Sequence, residues 1–512
     1  MATDSPGYVT DVVYTDNYYE QLSPLALNYL AALNGHPPVD PGSFDYCELG
    51  CGLGLSLLVH AATHPGGRFV GVDLNPEHIA RAQARADAAG ITNLRLLAEP
   101  FGDELTASGL PDFDFIVLHG VYSYLPENVR LSVHRFIDAR LKPGGQVLIS
   151  YNAMPGWAGR RPLRDIMRRF AVPLAQNSLE RAQLGLSYLR LMLDARAPFF
   201  ALNPELEKYA ESLFQLDLHY IAHEFFHEQH NAYAVDQVAG DMGGMGLAFA
   251  GTLPLWQNHV EADIPANLTG LFTADTGRIA REAHKDFIYN TVFRTDLYVR
   301  PAPRVLAAHD RCSALWNTPF CSVTEPDAVQ LTVQRGALQL PLNTRESRII
   351  LSLLQDAPRT PAQLHAHPGL QAMPPTALVD AICWWVLSGQ ARPATTIATD
   401  AGNETVAHLN RTLLADAMHD QNATTAWLGS PRFGCAFEFD KTQALALCAL
   451  SGSGDTPSET ALWELMQACG LSFEEGDGTL GPAEVAQLAL DLHDELEANG
   501  ALERARKLGV VA

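Results

Sequence analysis

The stretch from Asp45 to Asn75, DYCELGCGLGLSLLVHAATHPGGRFVGVDLN, constrains the chain more than any other, because it predicts strand, glycine loop, helix and strand in succession. Phe44, Tyr46 and Leu49 mark a short extended run, Leu55 to Ala62 is apolar and free of breakers, and Arg68 to Val72 reads as the next strand. Glu48, Gly50, Gly52 and Gly54 form the pattern E-x-G-x-G-x-G between them. Glycine suits such a loop, where a tight turn needs positive φ and a ligand must approach bare backbone. Asp73 lies nineteen residues after Gly54, at the carboxyl end of the second strand. Doubly wound sheets place an acid there against a ribose diol. The expectation is an α/β fold of Rossmann-like type with a nucleoside ligand.

The glycine spacing narrows the nucleoside. The dinucleotide fingerprint G-x-G-x-x-G needs glycine at position 55 or 57, and both are leucine. No lysine follows the glycines, so the phosphate-cradling P-loop is absent too. An acid leading the loop suits a ligand that carries an ammonium and a sulfonium. The arrangement resembles motif I of class I S-adenosylmethionine (SAM) methyltransferases. That resemblance implies Glu48 near the methionine amino group and a donor site built from Gly50, Gly52, Gly54, Asp73, Leu74 and Asn75. It further implies an acid after the third strand, Leu94 to Leu97, for the adenine amino group, which would be Glu99 with Phe101 beside it. Ahead of the loop stand Tyr14 and Tyr19, whose rings could fold over a sulfonium or simply pack.

Further along, Pro76 to Ala89 reads as a helix. Phe113 to Leu118 is an apolar run of the kind buried on both sheet faces, and it delivers HGVYSYLP, residues 119 to 126, to the ligand-binding edge. After a helix over Glu127 to Leu141, the fifth strand, Val147 to Ser150, leads into YNAMPGW, residues 151 to 157. YTDNYY..LSP, the glycine loop, HGVYSYLP and SYNAMPGW, in this order, resemble bacterial methyltransferases that carry a methyltransferase regulatory domain. The similarity continues through His223, Glu224, Asn231 and Tyr233, then GLAFAG at 246 to 251 and FRTDL at 293 to 297, and reaches SPRFG at 430 to 434. The group includes protein-lysine methyltransferases acting on outer-membrane proteins, so the resemblance implies SAM as cofactor and a protein or peptide as acceptor. His119 and Tyr122, with Tyr124 and Asn152 nearby, stand where a nucleophile would be held. His119 could take or relay a proton, or only orient its loop.

The spacing divides the chain into a SAM-binding core over 1–157, a helical insertion over 158–235 and a region over 236–303 that completes the sheet with runs at Leu247 to Leu253 and Thr291 to Val299. A middle part over 304–400 follows, with a strand-like stretch at Ala328 to Leu340 and helices at Thr344 to Leu354, Thr360 to His365 and Thr376 to Leu387, resembling a winged helix. The remainder, 401–512, reads as mostly helical and suits scaffolding or substrate recruitment. The inserted helices suit a lid or a homodimer surface. Within them Arg161, Arg164 and Arg168 share a face, for an acidic substrate or for solvent.

His219, His223, His227 and His230 fall within about 80° of one helix face at 100° per residue, and His223-Glu-Phe-Phe-His227 matches the zincin pattern H-E-x-x-H. No extended zincin signature follows, and the regulatory-domain resemblance already accounts for His223 and Glu224, so no metal ligand is assigned. The histidines otherwise form a structural face.

A formal net charge of −23 repels phosphate backbones, which argues against a nucleic-acid partner. The first residues show neither a basic region nor an apolar core, and no 18-residue uncharged apolar run occurs. Eight scattered cysteines suit a reducing compartment, so the expected location is cytoplasmic. The leading expectation is N-methylation of a protein or peptide side chain, lysine first. The alternatives are a small-molecule or biosynthetic-peptide methyltransferase, a SAM-binding regulatory protein, and a zinc hydrolase through His223, Glu224 and His227.

Overall fold

A computed structural model describes residues 11, 16–259, 264–273, 275–301, 310–335, 338–395, 400–420, 423–450, 459–469, 474–475, 478–479 and 482–511. Tyr14, one of the two tyrosines expected over the donor, lies outside them.

Five strands are laid down in the first third of the chain: β1 Phe44–Leu49, β2 Gly67–Asp73, β3 Leu94–Ala98, β4 Phe113–Leu118 and β5 Leu141–Asn152. Two more, β6 Ala248–Leu253 and β7 Phe293–Val299, come much later. Together they make one seven-stranded sheet of order β3-β2-β1-β4-β5-β7-β6. The first five are parallel, whereas β7 runs antiparallel between β5 and β6. The α/β, Rossmann-like expectation, with a sheet completed after a helical insertion, is thereby met.

Every residue of β1 is buried, as a strand covered on both faces should be. The period of two sorts the sheet into two cores. Phe115, Val117 and Leu297 face the layer that holds helix α2 (Leu55–Thr63), while Ile116, Leu118 and Tyr298 face the layer that holds helix α5 (Glu127–Arg140). The first core also takes in Leu409, Leu428, Phe437 and Leu447, so the C-terminal region packs directly on the sheet side that carries the glycine loop.

Between β5 and β6 stand helices α6 (Gly156–Ala171), α7 (Ser178–Asp194), α8 (Pro198–Leu202), α9 (Pro204–Leu213), α10 (Leu218–Phe226) and α11 (Val235–Gly244), counting α1 (Pro24–Leu33), α3 (Pro76–Ala88) and α4 (Asp103–Ala107) earlier in the chain. Helices α6 to α10 close over their own apolar cluster, including Leu163, Met167, Leu189, Phe200 and Phe225.

Three expectations are corrected. The four histidines do not share a helix: α10 stops at Phe226, and His227 has extended backbone (φ −51°, ψ 140°), which sends His230 beyond it. Arg164 and Arg168 are not a solvent or substrate face, because their guanidiniums donate to the carbonyls of His227 and Phe226 and terminate α10. Only Arg161, near Asp165, remains exposed. Finally, the C-terminal region contains an antiparallel hairpin, Thr425–Ser430 with Cys435–Asp440, where helix was expected, and the Ala328 to Leu340 stretch contributes only the two-residue strands Gln334–Arg335 and Leu338–Gln339.

Candidate active site

Glu48 and Leu49 end β1, and the chain turns immediately through Gly50, Cys51, Gly52 and Leu53 into α2. Gly50 takes φ +83°, and a Cβ there would stand 2.3 Å from Val121 Cγ2. Both the conformation and the space therefore require glycine. Gly52 also has positive φ, +55°, but with nothing within 4 Å of a Cβ, so its backbone faces open space. Its N–H donates to Asp73 Oδ2 at 2.9 Å. Asp73 Oδ1 accepts from the Asn75 N–H at 2.8 Å and lies 3.3 Å from His78 Nδ1, which fixes the carboxylate at the end of β2.

A cavity of about 390 Å³ opens over this loop. Glu48 reaches it from below with Oε2 buried and without a hydrogen-bond partner. Burial, and then the neighbouring Asp73, push its carboxyl up to about 8. An orphaned buried carboxyl beside open glycine backbone and a held second acid fits SAM: Glu48 matches an ammonium, Asp73 a ribose diol, and the bare glycine loop the body of the ligand.

The other end of the cavity comes from the segments after β4 and β5 and from the inserted helices. Ser123 Oγ accepts from the Asn152 N–H at 2.7 Å, and Tyr233 brackets the same strand end by bonding Asn152 O and the Met154 N–H, each at 2.9 Å. Held there, the Asn152 amide donates to His230 Nε2 at 3.0 Å and lies 3.3 Å from both Glu224 Oε1 and the Tyr124 hydroxyl. The Tyr124 hydroxyl donates to Glu224 Oε2 at 2.6 Å. Trp157, Tyr209 and Tyr220 complete the wall, with the Arg160 guanidinium 4.0 Å over the Tyr209 ring. His119 sits between the two ends, its ring 4.3 Å from that of Tyr19 and 6.0 Å from that of Phe293. Desolvation pulls it down to about 4, so it is neutral at pH 7.

Tyr19, Glu48, Gly50, Gly52, Gly54, Asp73, His119, Tyr124 and Asn152 thus converge on one cavity, while five other expected residues do not line it. Leu74 lies beyond the end of β2, and the Asn75 side chain caps α3 by accepting from the Glu77 N–H at 3.0 Å. Glu99 is exposed, and Phe101 packs against the core on the α5 side. Tyr122 is fully buried, its hydroxyl 3.0 Å from His134 Nε2 and 3.2 Å from Asp241, so it supports the wall from behind. Sequence reasoning missed His78, Arg160, Tyr209, Tyr220 and Phe293 as lining residues. Phe293 had a signal, at the head of the FRTDL element, but the two inserted tyrosines carry none. His223 and His227 also line the cavity with rings 5.7 Å apart, yet from a helix and from the extended residue after it, which is not the one-helix i, i+4 pair that zincin chemistry uses.

Residues 47–147 match the family described as a methyltransferase domain, and residues 217–300 match one described as a predicted methyltransferase regulatory domain. An uncharacterised protein of Synechocystis, sll1526, is 32% identical over 493 residues, which cover 93% of this chain and 94% of that one. An uncharacterised protein of Rickettsia prowazekii, RP789, is 27% identical over 290 residues, 56% of this chain and 51% of that one. Among solved structures, PKMT2 from Rickettsia typhi in complex with AdoHcy has the same fold, with a TM-score of 0.68 at 18% identity over 97% of this chain and 99% of that one. The chain belongs to the SAM-dependent methyltransferases that carry a methyltransferase regulatory domain.

Proposed function

We propose that the methyl acceptor is an amine, the side-chain nitrogen of a lysine in a protein or peptide. The observation that carries this reading is the composition of the wall opposite the glycine loop: one carboxylate, Glu224, held by Tyr124 and Asn152 and set among the rings of Tyr124, Trp157, Tyr209 and Tyr220. A carboxylate among aromatic faces attracts a cation, and an alkylammonium gains both from the charge and from the ring quadrupoles. A protein or peptide agrees with the resemblance of HGVYSYLP and SYNAMPGW to a group that includes protein-lysine methyltransferases.

Bound SAM supplies a methyl group activated on a sulfonium, which passes to the nucleophile by in-line displacement. The protein's own part is placement, and fixed orientation can remove roughly 7 to 11 kcal/mol of such a barrier. Glu224 draws in the ammonium, and its hydrogen bonds to Tyr124 and Asn152 keep the carboxylate from following the amine as the charge changes. Burial makes His119 a poor base: moving a proton from a lysine at about 10.4 to a histidine at about 4 is uphill by roughly 9 kcal/mol. It orients the junction between the two ends instead, and the amine loses its proton to water. Turnover therefore rises with pH between about 7 and 9 as neutral amine becomes more abundant.

Labelled SAM incubated with lysine-containing polypeptides, with their acetylated forms and with small amines tests the proposal. Label recovered as N-methyl-lysine from the unblocked polypeptides alone is the expected result. Glu224→Gln should raise the acceptor KM roughly tenfold or more, the equivalent of about 1.4 kcal/mol, with SAM affinity unchanged. Label on oxygen, or on small molecules only, overturns it.

A further inference from the structure

Residues 16 to 20 lie outside any strand, between the cavity and the C-terminal region, and they divide between the two. Asp16, Asn17 and Tyr19 line the cavity. Tyr18 and Glu20 are held from the other side. The Tyr18 hydroxyl accepts from the Ala436 N–H at 2.8 Å, and its ring lies 4.9 Å from that of Trp427. Glu20 is ion-paired with Arg392. Asp16 joins the same scheme through Arg85, whose guanidinium contacts Asp16 at 2.6 Å and Asp416 at 2.6 Å. Tyr19 has extended backbone and caps the 3₁₀ turn Glu20–Leu22, so grips on Tyr18 just before it and on Glu20 just after it fix which way Tyr19 points.

The catalytic half holds this strap at the Tyr19 N–H, on Ser56 Oγ at 2.8 Å, and just beyond it at Leu22 O, which accepts from the Tyr46 hydroxyl at 2.9 Å. No strand pairing holds residues 16 to 19, and the 3₁₀ turn over Glu20–Leu22 makes backbone–backbone bonds only within itself and to its flanking residues. Their conformation depends on side-chain contacts, four of which come from beyond residue 390: Arg392, Asp416, Trp427 and Ala436. Glu48, Asp73 and the glycine loop are instead fixed by the sheet.

We infer that Tyr18 and Glu20 are positioning residues through which the C-terminal region holds Tyr19 and Asn17 over the methyl donor, and that the C-terminal region thereby sets the affinity for SAM. Loosening the strap weakens donor binding and leaves the acceptor wall, made by other segments, in place. This assigns a task to a region in which no catalytic constellation is visible among the described residues.

Calorimetric titration of SAM into the full chain tests the inference. Tyr18→Phe removes one hydrogen bond and keeps the ring, and Arg392→Gln removes one ion pair. Each should weaken SAM binding by roughly two- to tenfold, the range that one such contact contributes. Each variant gives up some stability but should remain folded at the assay temperature, and kcat at saturating SAM should stay at the wild-type value. The double reversal Glu20→Arg with Arg392→Glu should recover most of the affinity, which a merely structural loss would not do. If Arg392→Gln disturbs folding, Glu20→Gln removes the same pair from a half-exposed position and decides the matter. Wild-type SAM affinity in folded Tyr18→Phe and Glu20→Gln proteins, or no recovery on charge reversal, overturns the inference.

Discussion

A buried carboxyl with an unpaired oxygen is costly to keep charged, and Glu48 meets that cost by holding its proton up to about pH 8 in the free protein. The sign follows directly. A folded value above the unfolded one contributes stability below about 4.5 that is lost as pH rises through 8. Pairing with the ammonium of SAM favours the charged carboxylate, so binding at pH 6.5 should release close to one proton. Calorimetry in buffers of different ionisation heat measures this release, and Glu48→Gln should abolish it along with most of the affinity. Glu48 and Asp73 were legible in the sequence because they end strands whose apolar pattern is plain. Tyr122 was not, since Tyr122 to Tyr124 form a 3₁₀ turn. At three residues per turn, side chains two apart diverge by about 120°, so Tyr124 enters the cavity and Tyr122 enters the core.

At the scale of elements, the end of α10 decides the shape of the acceptor wall. The carbonyl of its last residue, Phe226, and that of His227 just beyond are taken by two arginines from α6, and His227 leaves the helix with its ring 4.8 Å from that of Tyr124. Burial and the nearby Arg168 lower Arg164 to about 10, still charged at neutral pH. Arg164→Met should cost about 1 to 3 kcal/mol by leaving a buried carbonyl unpaired. Amide exchange over 221 to 227 should quicken, while SAM binding is retained. The sequence pointed to a histidine face here because periodicity assumes that a helix continues, whereas this helix is stopped by side chains from another one. The sheet was legible for the opposite reason: runs such as Phe113 to Leu118 are apolar on both faces and need no partner to be recognised. The hairpin at 425 to 440 escaped because its strands, TAWLGS and CAFEFD, carry no strict alternation of apolar and polar positions, and it is held by the packing of its apolar side chains in the core that also holds α2.

Across the whole molecule, one core joins the sheet to the C-terminal region, and buried histidines lie within it. His60 and His64, both on the α2 side, are held neutral by burial, which pulls His60 well below its ordinary value and His64 down to about 4. Their folded values lie below the ordinary one, so the contribution they make is present above about pH 6.5 and is lost as pH falls through 4. For His64 alone the shift corresponds to about 3 kcal/mol. Urea midpoints should fall steeply between pH 6.5 and 4, and His64→Gln should flatten part of that slope. No helix among the described residues is long and apolar enough to cross a membrane.

The late arrival of β7 has a consequence for how the protein is made. β5 is complete at Asn152, but its antiparallel neighbour begins only at Phe293. At 5 to 20 residues per second, a ribosome needs roughly 7 to 30 seconds to supply that neighbour. Throughout this interval the nascent sheet offers an unpaired edge, the kind of surface that recruits foreign strands. The inserted helices, which have a core of their own, emerge during the wait, and chaperone demand should peak before residue 300 and fall once β7 docks.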